Sequence, residues 1–136
     1  MPTTKPQAAA VLYAKDLKKL AAFYAGVTRL GLHRIAEDHI VLECVLECEL
    51  FQLVVVQIPK EIAERIEIEE PPARRSTTPI KLVFFIENIE AARTAASSLG
   101  GALNPAGGEW LFEGDRVCDG YDPEGNVFQL RQICSP

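Results

Sequence analysis

The chain has 136 residues, 48% of them hydrophobic and 24% charged, with a formal net charge of −5. That length and composition suit one compact globular domain with its own core. The acidic balance argues against nucleic acid and anionic membrane surfaces as partners, since both need a basic face, and no apolar run reaches the roughly 20 residues of a membrane span.

Residues 1–7, with two prolines and two threonines, read as a lead-in without the apolar stretch of a signal peptide. A cytoplasmic location is the expectation. Cys44, Cys48, Cys118 and Cys134 then read as reduced thiols. The Cys44–Cys48 spacing is not one that zinc sites use, and no histidine pair accompanies it.

Residues 8–14 form a short apolar run that predicts a buried strand. Asp16 suits a helix N-cap, and Leu17, Leu20, Ala21, Phe23 and Tyr24 follow at helical spacing, with Gly26 and Gly31 bracketing the helix end. Residues 32–36, 40–45 and 50–58 predict three strands. The turn between the last two is placed at residues 47–49, and the tandem Val41-Leu-Glu-Cys, Val45-Leu-Glu-Cys reads as a local accident. A helical turn over 60–65 and a Pro- and Arg-containing linker lead to residue 79; the acidic run 61–70 reads as a solvated face. The order then repeats: a strand over 80–86, an Ala-rich helix over 89–99 closed by Gly100-Gly101, and strands over 110–113, 116–120 and 126–133. Asp122-Pro-Glu-Gly125 predicts a tight turn, with proline and glycine in favourable places.

Each half is therefore βαβββ. The fold class is α+β: two βαβββ modules, about 8–58 and 79–133 with a linker at 59–78, pair into a curved mixed sheet with a central cleft and helices on the outer faces. Three stretches carry a family likeness. They are Val11-Leu-Tyr-Ala-Lys-Asp16-Leu17 with Phe23-Tyr24 and Leu30-Gly31; Glu87-Asn88-Ile89 leading to Leu99-Gly100-Gly101; and Asp122-Pro-Glu-Gly-Asn-Val-Phe-Gln-Leu130. Over residues 8–133 the chain resembles the vicinal oxygen chelate superfamily of glyoxalase I, bleomycin-resistance proteins and extradiol dioxygenases. Such a likeness is specific for fold and weak for reaction.

In metal-dependent members, the first and last strand of each module supply the ligands. The resemblance puts those positions at Ala9, Gln52, Lys81 and Gln129. Alanine has no lone pair, a lysine ammonium repels a cation, and two amides carry no charge. A divalent catalytic site takes histidine and carboxylate ligands. The expectation is no metal and no cofactor, hence no metal electrophile for enediolate or oxygen chemistry.

Strand alternation puts Gln52 on a face with Val54 and Val56, and Gln129 on a face with Val127 and Arg131, both toward the cleft. The functional reading is a pair of amides that meet on the cleft floor and bond a ligand; the plainer one is amides bonded to protein or water. Lys81, Arg131 and Arg116 could give the cleft a positive spot, although a one-residue slip would turn Lys81 to solvent. Trp110, the only tryptophan, could stack on a flat ligand or serve as core or a dimer contact. Tyr13 and Tyr121 are weaker candidates of that kind. His33 and His39 fall at no ligand position and read as surface or structural residues. Three functions stay open: a metal-free protein binding an unidentified small molecule, as bleomycin-resistance proteins do; a metal-dependent lyase or dioxygenase with non-standard ligands; and a structural or regulatory relative with a closed cleft. By resemblance, a homodimer is expected.

Overall fold

The computed structural model describes residues 8–44 and 51–133. The expected turn at 47–49, together with Cys48 and Cys134, lies outside them. The first module runs β1 (Ala8–Ala14), α1 (Leu17–Val27), β2 (Leu30–Ile35), β3 (His39–Cys44) and β4 (Phe51–Gln57). A short helix, α2 (Lys60–Ala63), opens the connection to the second module. That module runs β5 (Leu82–Ile86), α3 (Ile89–Ser98), β6 (Ala102–Leu103), β7 (Trp110–Phe112), β8 (Asp115–Tyr121) and β9 (Val127–Gln132).

The two modules build two sheets with one plan. Sheet 1 has the order β1-β4-β3-β2, and sheet 2 has the order β5-β9-β8-β6, with β7 also on β8. In each, the first and last strands of the module run parallel and the other pairings are antiparallel. The helix therefore serves as the crossover that a parallel pair requires. The outer strand of the second module is broken. Ala102–Leu103 pairs with Gly120–Tyr121, the chain then leaves the sheet through a 3₁₀ turn at Ala106–Gly108, and it returns as β7.

Both helices start as their sequences dictate. Asp16 Oδ1 accepts from the Lys19 amide at 3.2 Å, and Asn88 Oδ1 accepts from the Ala91 amide at 3.0 Å. A glutamine at the end of each module's last strand reinforces this: Leu17 N–H donates to Gln57 Oε1 at 3.0 Å, and Ile89 N–H donates to Gln132 Oε1 at 2.8 Å. The end of α1 differs from expectation. The helix continues through Gly26 and is capped by Thr28, whose Oγ1 donates to the Tyr24 carbonyl at 2.6 Å, while Gly31 lies within β2. Gly26 is a packing residue: a Cβ there would lie 2.4 Å from Leu99 Cδ1, at the end of α3.

One core joins the modules. Phe23 and Tyr24 of α1 reach across to sheet 2, with ring centroids 5.7 and 5.8 Å from Phe128 and Tyr24 5.6 Å from Phe84. Leu42, Leu53 and Val55 of sheet 1 and Phe128, Leu130 and Cys118 of sheet 2 are fully buried on the helix side. At the seam, the edge strands β1 and β5 line one pocket of about 380 Å³ with Tyr24 and Val127. The opposite faces of both sheets lie away from the helices, and Val11, Tyr13, Val83, Phe85, Trp110 and Phe112 are exposed there.

Candidate functional site

Cross-strand register decides which side chains share these free faces. In sheet 1, Ala9, Gln52 and Glu43 lie abreast on β1, β4 and β3; in sheet 2, Val83, Gln129 and Asp119 lie abreast on β5, β9 and β8. Each glutamine thus sits opposite an acidic residue. Gln52 Nε2 donates to Glu43 Oε2 at 2.8 Å, and Gln129 Nε2 donates to Asp119 Oδ1 at 3.1 Å. The expected meeting of the two amides is replaced by a carboxylate partner for each within its own sheet.

Around these pairs the faces differ in charge. On sheet 1, His33 Nδ1 lies 3.3 Å from Glu43 Oε1, so this histidine belongs to the cluster after all. A shift in register between Leu32 and Arg34 accompanies it. On sheet 2, Lys81 Nζ donates to Asp119 Oδ2 at 2.8 Å, and Arg131 Nε donates to Gln129 Oε1 at 2.9 Å. Lys81, Asp119, Gln129 and Arg131 form one chain with two positive charges and one negative. The Arg131 guanidinium lies 4.6 Å from the Phe112 ring centroid and 5.6 Å from that of Phe85, a cation–π arrangement on both rings.

Three expectations are sharpened here. Lys81 does share this face, but Val83 stands directly opposite Gln129, and Lys81 reaches the glutamine's neighbourhood through Asp119. Trp110 lies opposite Val117, itself opposite Arg131, so it stands on the free face and is 42% exposed rather than part of the core. Arg116 is a correction. It pairs with Leu111 and Gln132 on the helix side of β8, one residue out of phase with the free face. There it binds Glu109 Oε1 through Nε at 2.9 Å and Glu90 Oε1 through Nη2 at 3.0 Å, and Arg93 joins the same two carboxylates.

Glu43 and Asp119 are the residues that sequence reasoning missed. The signal was an acidic side chain on the free-face parity of an otherwise apolar strand, in Val41-Leu-Glu-Cys44 and Val117-Cys-Asp-Gly120. Such a group needs a partner when half-buried.

The donor set does not fit a divalent metal. Ala9 offers a methyl group, Gln52 and Gln129 are neutral amides, and Lys81 brings an ammonium to the one carboxylate beside Gln129. Glu43 and Asp119 already take N–H donors or a histidine on both oxygens. Among the described residues, no group of three or more histidines, cysteines, aspartates or glutamates could hold a metal ion.

Behind the seam, Asp122 is fully buried in the closing turn. It accepts from Tyr24 Oη at 2.7 Å, from the amides of Glu124 and Asn126 at 2.8 and 3.0 Å, and from Asn126 Nδ2 at 2.9 Å. Burial pushes the Asp122 carboxyl up; burial and the Asp122 charge push the Tyr24 phenol well up. Glu124 continues the turn to the start of α1, accepting from the Lys15 and Asp16 amides at 2.8 and 2.9 Å. These contacts fix the modules against each other.

The profile of the glyoxalase-like domain family matches residues 9–131. No curated protein sequence matches the chain. Among solved structures it is similar to a glyoxalase/bleomycin resistance protein/dioxygenase family enzyme from Burkholderia phytofirmans PsJN, at 16% identity and a TM-score of 0.64, over 93% of this chain and 97% of that one. The genomically encoded fosfomycin resistance protein FosX from Listeria monocytogenes matches at 14% identity and a TM-score of 0.60, over 100% and 95% of the two chains. A bleomycin-binding protein complexed with bleomycin matches at 15% identity and a TM-score of 0.55, over 98% and 100%. At these identities the likeness is one of fold. Among the described residues, no helix is long and apolar enough to cross a membrane.

Proposed function

The chain belongs to the glyoxalase-like domain family of the vicinal oxygen chelate superfamily, and from that premise we propose that it is a metal-free small-molecule binding protein whose site is the free face of its sheets. The observation that carries this reading is the replacement of the ligand set. Where the resemblance puts the metal ligands, this chain has Ala9, Gln52, Lys81 and Gln129, with Val83 rather than Lys81 directly opposite Gln129, and the polar ones are bound into side-chain networks of their own sheets. What the face offers a ligand is a mixture of exposed apolar surface and a few fixed polar groups, the usual make-up of a small-molecule site. The bleomycin-binding neighbour supports small-molecule binding as the class of function; its ligand is not carried over.

A homodimer and a cytoplasmic location go with this proposal. The free thiol of the buried Cys118 suits a reducing compartment. The test is a thermal-shift screen of the EDTA-treated protein against neutral, cationic and anionic small molecules, because a ligand selective for the folded state raises the melting temperature by mass action. Stabilisation that survives EDTA supports the proposal. Stabilisation that appears only with an added divalent ion would replace it with the metal-dependent lyase or dioxygenase reading.

A further inference from the structure

We propose that the free face of sheet 2 is a receptor for the carboxylate of a planar aromatic acid, with Arg131 as the anion-binding group and Trp110 and Phe112 as the apolar walls. This rests on the preceding reading that the free face is the ligand site, and it adds the ligand's chemical class.

Most polar groups on this face are already spent. Asp119 takes Lys81 on one oxygen and Gln129 on the other, and Gln129 has given its amide N–H to Asp119 and its carbonyl to Arg131. Gln129 is only 9% exposed, so it supports its neighbours and does not reach outward. Among the described residues, Arg131 is spent at Nε alone. The remaining guanidinium edge carries the two Nη groups, a planar fork that matches the two oxygens of a carboxylate. The fork is preorganised: Gln129 holds its Nε, and Phe112 and Phe85 hold its plane. Fixing a long side chain beforehand removes an ordering cost that a ligand would otherwise meet.

The surroundings select the rest of the ligand. Phe85, Arg131, Val117 and Trp110 lie abreast across β5, β9, β8 and β7. Two strand spacings, about 10 Å, separate Arg131 from Trp110, and the guanidinium reaches part of that way toward Phe112. Val117, between Arg131 and Trp110, is fully buried beneath these side chains, so the ligand's ring lies over the exposed surfaces of Trp110 and Phe112 with its carboxylate at the guanidinium fork. Phe112 is 44% exposed and Trp110 42%, so both rings offer surface for stacking. The net positive charge of the Lys81–Asp119–Arg131 group favours an anion and opposes a cation, and the apolar row disfavours small hydrophilic anions such as acetate.

Benzoate, benzamide and acetate test this on the full, EDTA-treated chain. Because Trp110 is the sole tryptophan, its fluorescence reports directly on the row, and calorimetry gives the affinity. The expected result is saturable benzoate binding, with benzamide and acetate at least about tenfold weaker, the scale of one charge-assisted hydrogen-bond pair. Arg131→Gln should lose benzoate by a similar factor, and Arg131→Lys should recover only part of it, because an ammonium lacks the planar fork. Benzamide binding as tightly as benzoate, no saturable benzoate signal, or an Arg131→Gln protein that is folded by circular dichroism and binds normally would each overturn the assignment. The benzoate-to-benzamide ratio needs no variant, so a misfolded Arg131→Gln does not leave the matter open. If the thermal-shift screen finds ligands only among cations or neutral compounds, the carboxylate assignment fails and the binding function stands. If no class of compound binds, both fail.

Discussion

Tyr24 shows how one side chain can serve both the core and a buried charge. Its ring packs against Phe23, Phe84 and Phe128, while its hydroxyl reaches Asp122 at 2.7 Å. Tyr24→Phe keeps the ring and removes the donor, leaving Asp122 with its bonds from Glu124 and Asn126. A buried acceptor that loses a donor costs about 1–3 kcal/mol, so the urea midpoint should fall with an unchanged m-value. An unchanged midpoint would mean that Asn126 alone satisfies Asp122 Oδ2, the oxygen that Tyr24 binds. Glu109 gives a pH-dependent counterpart on the helix side of sheet 2. Burial pulls its carboxyl upward, but Arg93 and Arg116 outweigh that and the net shift is downward. A lowered folded value means that the folded state favours the charged form. Its stability contribution is therefore present above the ordinary glutamate pKa of about 4.3 and lost as pH falls through the folded value. Glu109→Gln should be less stable than the parent at neutral pH, with the gap closing on acidification below that range. A gap that persists in acid would mean that packing, not charge, carries the effect.

At the scale of elements, the Asp16 cap and the Asp122–Gly125 turn were the most legible features. Asp16 and Asn88 are caps because a short acceptor side chain at the helix start meets an otherwise unpaired amide. Asp122-Pro-Glu-Gly125 is a turn closed by the Gly125 amide on the Asp122 carbonyl at 2.9 Å, with Gly125 at φ 86°. A Cβ there would also lie 2.2 Å from the Ala73 carbonyl oxygen. Gly125→Ala should therefore cost about 1–3 kcal/mol of backbone strain, read as a lowered melting temperature; a neutral result would show that the segment around Ala73 gives way. Less legible was anything set by neighbours rather than by the local pattern. A two-residue strand such as Ala102–Leu103 has no periodicity to read, and Gly26 resembles a helix stop until Leu99 is seen against it. Arg116 and Arg131 both sit in strands of the same module, yet only register with the neighbouring strands separates the helix side from the free side.

For the whole molecule, the duplication was visible in sequence and its consequence was partly visible. The two modules repeat the strand plan, the helix caps and the glutamine that braces each helix start. They also repeat a glutamine opposite a carboxylate on the free face. What the repeat does not preserve is charge: sheet 1 presents Glu43 with His33, and sheet 2 adds Lys81 and Arg131 around Asp119. That asymmetry arises from residues two strands apart and is invisible to a comparison of the halves by motif. It also bears on the metal question, since a lysine ion-paired to the carboxylate beside Gln129 opposes a cation more strongly than a missing histidine does. The most direct test is elemental analysis of the purified full chain after incubation with nickel, zinc and iron(II) and removal of the excess. Retained metal should stay far below one equivalent per chain, and none of the ions should raise the melting temperature. Near-stoichiometric retention of any of them, lost in a Gln52→Ala, Gln129→Ala double variant, would contradict the metal-free reading.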